Sequence, residues 1–330
     1  MSNNIIPSIE TLPLELLHRI FDNFNTETIL FSILPVSRLF ESSVNTYNRY
    51  DLNFHLISKS VFHVLCRLIN PENVISLTLS NDYRTSNQID LFISLFDLKQ
   101  FTRLRSLTLL DINESQLNHI LKHINLNTLT LFSFQVKEYD DGCIGTTTSH
   151  LLSPVISQPT LRRLEFGIRN DKVLNILWPT NCTIQHLTIN DFIKLDDLCK
   201  ILQYFPYLNT LIMKHVLMGE IKSFPSISFQ QISSLTINQY HEKIDELESL
   251  LLLTPSLLHL KLIGGQEMPD GKRWEEFIHR NLSQLDKFEF YSTKLMKSGI
   301  QSSTDLESIL SSFRTPFWIK HKKWFVNCAC

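Results

Sequence analysis

Val74-Ile75-Ser76-Leu77-Thr78-Leu79 places apolar residues first, fourth and sixth, and the chain repeats that pattern eight more times. The copies begin at Leu104, Leu126, Leu161, Ile184, Leu208, Ile232, Leu257 and Leu285, the last reading Leu285-Asp-Lys-Phe-Glu-Phe290. Their fourth residues are Leu77, Leu107, Leu129, Leu164, Leu187, Leu211, Leu235, Leu260 and Phe288, separated by 30, 22, 35, 23, 24, 24, 25 and 28 residues. Alternation of this kind is the signature of a strand with one buried face. Its recurrence at a nearly fixed step means a chain assembled from stacked units.

Most of these steps fall in the ~20–29-residue range of leucine-rich repeats, which the sequence resembles. Pro159, Pro206 and Pro255 stand two residues before a copy, where proline ends a helix and admits a strand. Between copies, apolar residues take helical spacing: Ile89, Phe92, Ile93 and Phe96; Leu117, Ile120, Leu121 and Ile124; Leu198, Ile201, Leu202 and Phe205. Asp196-Asp197 suits the start of the last of these helices. The prediction is an α/β fold whose body, residues 74–330, is an irregular leucine-rich-repeat-like β-α solenoid with a parallel sheet on its concave face. Two departures predict the irregularity. The Asn or Cys expected after each strand is replaced by Asp82, Ile112, Phe134, Arg169, Phe192, Val216 and Tyr240, and the steps of 30 and 35 imply insertions, the longer containing Tyr139 to Thr148.

Residues 8–50 do not follow the repeat. Pro13 suits a first helical turn, and Leu16, Leu17, Ile20, Phe21 and Phe24 then form a broad apolar face. Asn25 or Thr26 can cap a second helix carrying Ile29, Leu30 and Ile33, which Pro35 stops. A third begins near Val36 and puts Leu39, Phe40 and Val44 on one side. So short a module cannot bury all of this surface by itself. Residues 51–73 read as a linking helical segment.

Leu12-Pro13-Leu14-Glu15-Leu16-Leu17, then Ile20-Phe21, a polar turn, an apolar helix and Val36-Ser37-Arg38-Leu39-Phe40 together resemble the F-box. Ser37 and Phe40 stand where that family often has Cys and Trp. The resemblance implies a substrate receptor of an SCF-type ubiquitin ligase, with Leu12, Pro13, Leu16, Leu17, Ile20, Phe21, Leu30, Val36 and Phe40 docking on a Skp-family adaptor and, through it, on a cullin. The repeats would hold an unknown protein target. A repeat scaffold with a divergent F-box and no ubiquitin link is the alternative.

Other function classes find little support. The formal charge is −2 with a pI near 6.6, so no basic face for nucleic acid is expected. The most apolar stretch, Leu247 to Leu262, is too short to span a bilayer, and the N-terminal residues lack the pattern of a signal peptide. Six scattered cysteines without a CxxC pair suggest reduced thiols in an intracellular protein, cytoplasmic or nuclear. Eight glycines in 330 residues leave little material for phosphate-binding loops. His119 and His123 have metal-like spacing without the glutamate of a zinc-protease helix, Gly264 to Lys272 misses the P-loop spacing, and Cys328-Ala-Cys330 is not a prenylation box. No catalytic set emerges, and neither an enzyme nor a cofactor is expected. Trp318, Ile319, Trp324, Phe325 and Val326 suggest a closing strand or cap.

Alternate strand residues should face away from the core. Those in the early copies are mostly Ser and Thr, as in Ser76, Thr78, Ser106 and Thr108. His259, Lys261, Lys287, Glu289 and Tyr291 are large and polar, the kind enriched at interfaces, and are the expected target contacts.

Overall fold

The computed structural model describes residues 9, 12–82, 86–137, 146–168, 173–180, 182–218, 227–240, 243–264, 270–292 and 311–324. The chain forms two compact units, residues 1–161 and 162–330. Most of the 139–148 insertion, Arg169, Asn181, the loop 265–269 and Cys328-Ala-Cys330 lie outside the described residues.

Unit 1 begins with the helices α1 (Leu14–Phe21), a wide-turned helix over Thr28–Ile33 and α2 (Arg38–Thr46). The strands β1 (Tyr50–Asn53), β2 (Val74–Ser80), β3 (Ser106–Ile112) and β4 (Leu131–Val136) follow, paired in that order and all parallel. Between them run α3 (Lys59–Leu68), α4 (Gln88–Leu95) and α5 (Glu114–His123), with α6 (Thr146–Ile156) after β4.

Unit 2 holds β5 (Arg163–Gly167), β6 (His186–Lys194), β7 (Thr210–Leu217), β8 (Ser234–Tyr240), β9 (His259–Gly264) and β10 (Lys287–Ser292), again parallel and in chain order. Its helices are α7 (Leu195–Leu202), α8 (Ile244–Leu251) and α9 (Gly271–Asn281). Each unit is therefore a leucine-rich-repeat-like parallel β-α fold, whose strands bury one face.

The register follows the repeat. Leu77 sits beside Leu107, and Leu164, Leu187, Leu211, Leu235, Leu260 and Phe288 line up across unit 2. The leucines of that row are almost wholly buried, so within each unit one copy closes its core against the next. The helices end three or four residues before Pro159, Pro206 and Pro255, as expected.

Two readings need correction. The third copy is out of register: Leu107 pairs with Phe132, not Leu129. Phe132 and Phe134 are buried and stacked at 5.1 Å, so the motif there is Leu129-x-x-Phe132-x-Phe134. With that shift the uneven steps of 22 and 35 become 25 and 32. The segment 51–73 is not purely helical either. It contains most of β1, which sets Leu52 beside Leu77 and adds a strand before the first recognised copy.

A buried amide network closes the strand ends in unit 1. Asn81 Nδ2 donates to Gln116 Oε1 at 2.9 Å, and Asn81 Oδ1 accepts from the Ile89 amide at 3.1 Å. Gln88 Nε2 donates to the Phe54 carbonyl, while Gln88 Oε1 accepts from the Ser80 amide. Gln116 also closes a capping box with Asn113 at the start of α5 and donates to Asp90. These amides satisfy backbone groups that the missing Asn or Cys positions leave open.

Phe313, Trp318 and Trp324 close unit 2 around Phe288, to which Trp318 lies at 6.3 Å and Trp324 at 5.9 Å. Trp324 Nε1 donates to the Asp286 carbonyl at 2.7 Å. The described part of this cap is a wide helical turn over Phe317–Lys322, not a strand.

Candidate functional site

The N-terminal helices divide the F-box-like residues into two sets. Leu17, Phe21, Leu30 and Phe40 are buried and form the core of the module. Leu12 and Ile20 are half-buried, and Pro13 is the exposed residue that opens α1. Leu16 is 42% exposed and Val36 64% exposed, and Leu14, Phe24, Phe31 and Leu39 also face solvent.

Local chemistry explains the arrangement. Ser37 Oγ accepts from the Phe40 amide and caps α2, so the residue in the Cys position starts the third helix. Asn25 Oδ1 accepts from the Thr28 amide at 2.7 Å, opening the second helix. His18 Nε2 lies 3.0 Å from the Ser43 carbonyl and ties α1 to α2.

The module does not stand alone, because unit 1 itself supplies part of the burial it lacks. Tyr47 and Tyr50 meet edge to face at 5.0 Å, and Tyr50 Oη donates to the Val44 carbonyl. Thr26 donates to the Asp51 carbonyl in β1. Tyr47 Oη donates to Asp22, which also pairs with Arg49 at 3.1 Å. Burial first, and then the Asp22 carboxylate, push the Tyr47 hydroxyl well above its ordinary pKa.

The five residues expected to meet a target come together on the outer face of β9 and β10. Lys287 is registered with His259, and Glu289 with Lys261. Glu289 is the hub: Lys287 donates to it, Lys261 Nζ lies 3.6 Å away and His259 Nε2 3.5 Å away. Lys261 Nζ also sits 5.3 Å from the centre of the Tyr291 ring. The Lys287 ammonium, helped by Lys261 and His259, holds the Glu289 carboxyl below the usual carboxylate range, although burial opposes this. One carboxylate thus organises two lysines, and the cluster keeps a net positive charge.

Reading the copies singly missed other surface contacts. Phe192, on β6, is exposed, packs on His215 at 5.2 Å and carries Lys214 over its ring. On the helical side, Arg273 binds Glu248 through two hydrogen bonds, of 2.7 and 2.8 Å, and reaches Asp245. Asp245 and Glu248 lie one turn apart on α8 and Arg273 follows Asp270, the cap of α9; this i, i+3 acidic spacing was a visible signal.

The paired histidines of α5 contact one another. The His119 and His123 rings lie 4.3 Å apart, with His123 Nδ1 2.7 Å from the His119 carbonyl. Among the described residues, no group of three His, Cys, Asp or Glu could hold a metal ion. No helix of the described residues is long and apolar enough to cross a membrane.

Among solved structures, the chain is similar to the leucine-rich repeat-containing protein LegL7 from Legionella pneumophila, at 13% identity over 72% of this chain and 90% of that one, with a TM-score of 0.35. No family model and no curated protein sequence matches the chain. The repeat assignment therefore rests on the strand register within each unit.

Proposed function

We propose that the chain is a substrate-recognition adaptor of an SCF-type ubiquitin ligase, its N-terminal helices docking on a Skp-family adaptor and its repeats holding a protein target. The observation that carries this reading is the exposed apolar set Leu14, Leu16, Phe24, Phe31, Val36 and Leu39, crowded into the first 39 residues beside a helical core that is already filled. Apolar surface left open by a closed core is what a protein partner would cover. The Leu-Pro-x-Glu-Leu-Leu and Val-x-Arg-x-Phe spacings, which resemble the F-box, favour a Skp-family adaptor as that partner. In this role the chain breaks no bond. It holds target lysines near a charged enzyme and raises their effective concentration there.

The test is capture of the purified Skp-family adaptor by the full chain and by a Leu16→Asp/Val36→Asp/Leu39→Asp variant. Substitutions at exposed positions usually change stability by no more than about 0.5 kcal/mol each, so the variant should remain folded. Capture by the parent and its loss in the variant would support docking through these helices. A folded parent that captures nothing would replace the ligase reading with that of a scaffold whose helices serve another complex.

A further inference from the structure

The register of unit 2 aligns one residue from each strand into a row across the sheet: Arg163, His186, Thr210, Ser234, His259 and Lys287. All six stand at the third position of their copies, one residue before the inward-facing leucine or phenylalanine, and therefore on the outer face. Each is half-buried or exposed. Every member can donate a hydrogen bond, and none of the six is a carboxylate.

The adjacent row reads Glu165, Thr188, Ile212, Thr236, Lys261 and Glu289. Its two carboxylates are recessed, with side chains 19% and 20% exposed. Both are already engaged, Glu165 by Arg163 at 2.7 Å and Glu289 by Lys287, Lys261 and His259. Arg163 at 49% and Lys287 at 61% stand farther out at the two ends of their row. The recessed acids orient the cations, and the cations are what an approaching molecule meets first. This occurs on a chain whose formal net charge is −2.

We propose that this row binds an acidic, extended segment of a partner protein, laid across the six strands of unit 2. At a strand spacing of ~4.8 Å the row is about 24 Å long, which roughly seven residues of extended chain would span. Carboxylates toward the ends of the segment meet Arg163 and Lys287, and acceptors between them meet the imidazoles and hydroxyls. Nucleic acid fits less well. Only two residues of the row carry a fixed charge, and they stand at its two ends, whereas a phosphate backbone brings a charge at every nucleotide and needs a denser line of cations. The inference deepens the target-holding half of the adaptor reading and is independent of its ligase half.

The experiment uses the full chain without any ligase component. Fluorescence anisotropy would follow a labelled peptide of about nine residues rich in Glu and Asp, a Gln/Asn peptide of equal length, and an oligothymidylate of similar span, at low and at physiological salt. The acidic peptide should bind, weaken as salt rises, and outcompete the other two. Arg163→Glu/Lys287→Glu should weaken it by roughly tenfold, because two exposed ion pairs become repulsive. Lys272→Glu/Arg280→Glu, with the same change of charge on the exposed side of α9, should alter binding by less than about twofold. Equal losses in the two variants, tighter binding of the oligonucleotide, or no binding of the acidic peptide by folded parent chain would each overturn the proposal. Failure to capture a Skp-family adaptor would leave this result untouched.

Discussion

Replacing Asn81 by Ala removes the centre of the amide network that closes the strand ends of unit 1. Two hydrogen bonds go, one to Gln116 Oε1 and one from the Ile89 amide. Each contributes about 1 kcal/mol net, but Ile89 is fully buried and its N–H has no water to turn to, so a desolvation cost of about 1–3 kcal/mol is added. Asn87, at the N-cap of α4, makes no side-chain cap bond, so Asn81, just past the end of β2, does the capping. The loss should total roughly 3–5 kcal/mol, a large share of a typical stability of about 5–15 kcal/mol. The four tryptophans all lie in residues 162–330, so their fluorescence reports unit 2, whereas circular dichroism reports both units. Urea titrations should show the dichroism midpoint falling. Amide hydrogen exchange should speed up at Ile89 and through α4. Asn81→Asp keeps the oxygen that faces Ile89, so exchange there should stay slow even where stability falls. A stability change under about 0.5 kcal/mol for Asn81→Ala, with Ile89 still protected, would refute the assignment of the network as the closure of unit 1.

Phe40→Ala should destabilise unit 1 by about 3–5 kcal/mol because it empties a core site, whereas Val36→Asp, at an open position, should leave thermal unfolding nearly unchanged. Gly264→Ala should disrupt the join of β8 and β9, since an added Cβ would lie 2.1 Å from the Tyr240 carbonyl oxygen; a melting temperature equal to the parent's would contradict this. Arg273→Ala should cost no more than about 1 kcal/mol by thermal unfolding despite its paired hydrogen bonds, because the cluster faces solvent. Burial pushes the thiols of Cys182 and Cys199 up to about 11 and that of Cys66 up to about 12, from an ordinary 9. The folded chain therefore holds these protons more tightly than the unfolded chain. Stability should be unaffected by them below pH 9 and fall as pH rises from there toward about 11 for Cys182 and Cys199 and about 12 for Cys66, and iodoacetamide at pH 8 should label them only after unfolding.

The fold was legible because a parallel repeat writes the same core row in every copy. Eight of the nine expected strands carry Leu or Phe where the alternation put it, β4 alone being displaced, and helix ends track the prolines. The slip at Leu129 has a simple cause. Leu126, Leu129 and Leu131 satisfy the pattern as well as Leu129, Phe132 and Phe134 do, and only pairing with β3 decides between them. β1 escaped notice because four residues, Tyr50 to Asn53, are too short to show alternation against noise. Irregularity inside a strand was equally invisible. Asp111 adopts a left-handed φ of 53°, and the register of β3 with β4 shifts there; Asp tolerates that conformation, but nothing in the sequence demands it.

The surface was harder to read than the core for a physical reason. Within one copy, Arg163, His186 or Lys287 is a single polar residue on a strand, and its solvated reading is the natural one. Parallel pairing, in steady register through the first residues of each strand, brings residues 23 to 28 positions apart into contact, so surface chemistry is written down the stack of copies rather than along any one of them. His259, Lys261, Lys287, Glu289 and Tyr291 could be named because their size stood out. Arg163, His186, Thr210 and Ser234 could not, since none is unusual alone. The corresponding row of unit 1, Asp51, Ser76, Ser106 and Leu131, has no cation at all, which shows that the repeat does not require the donors of unit 2. The core leucines are fixed by burial, whereas the third position is free to vary, so an unbroken row of donors there calls for an explanation outside the core. A partner whose charge complements that row supplies one, and charge reversal at its two outer cations is the sharpest way to ask for it.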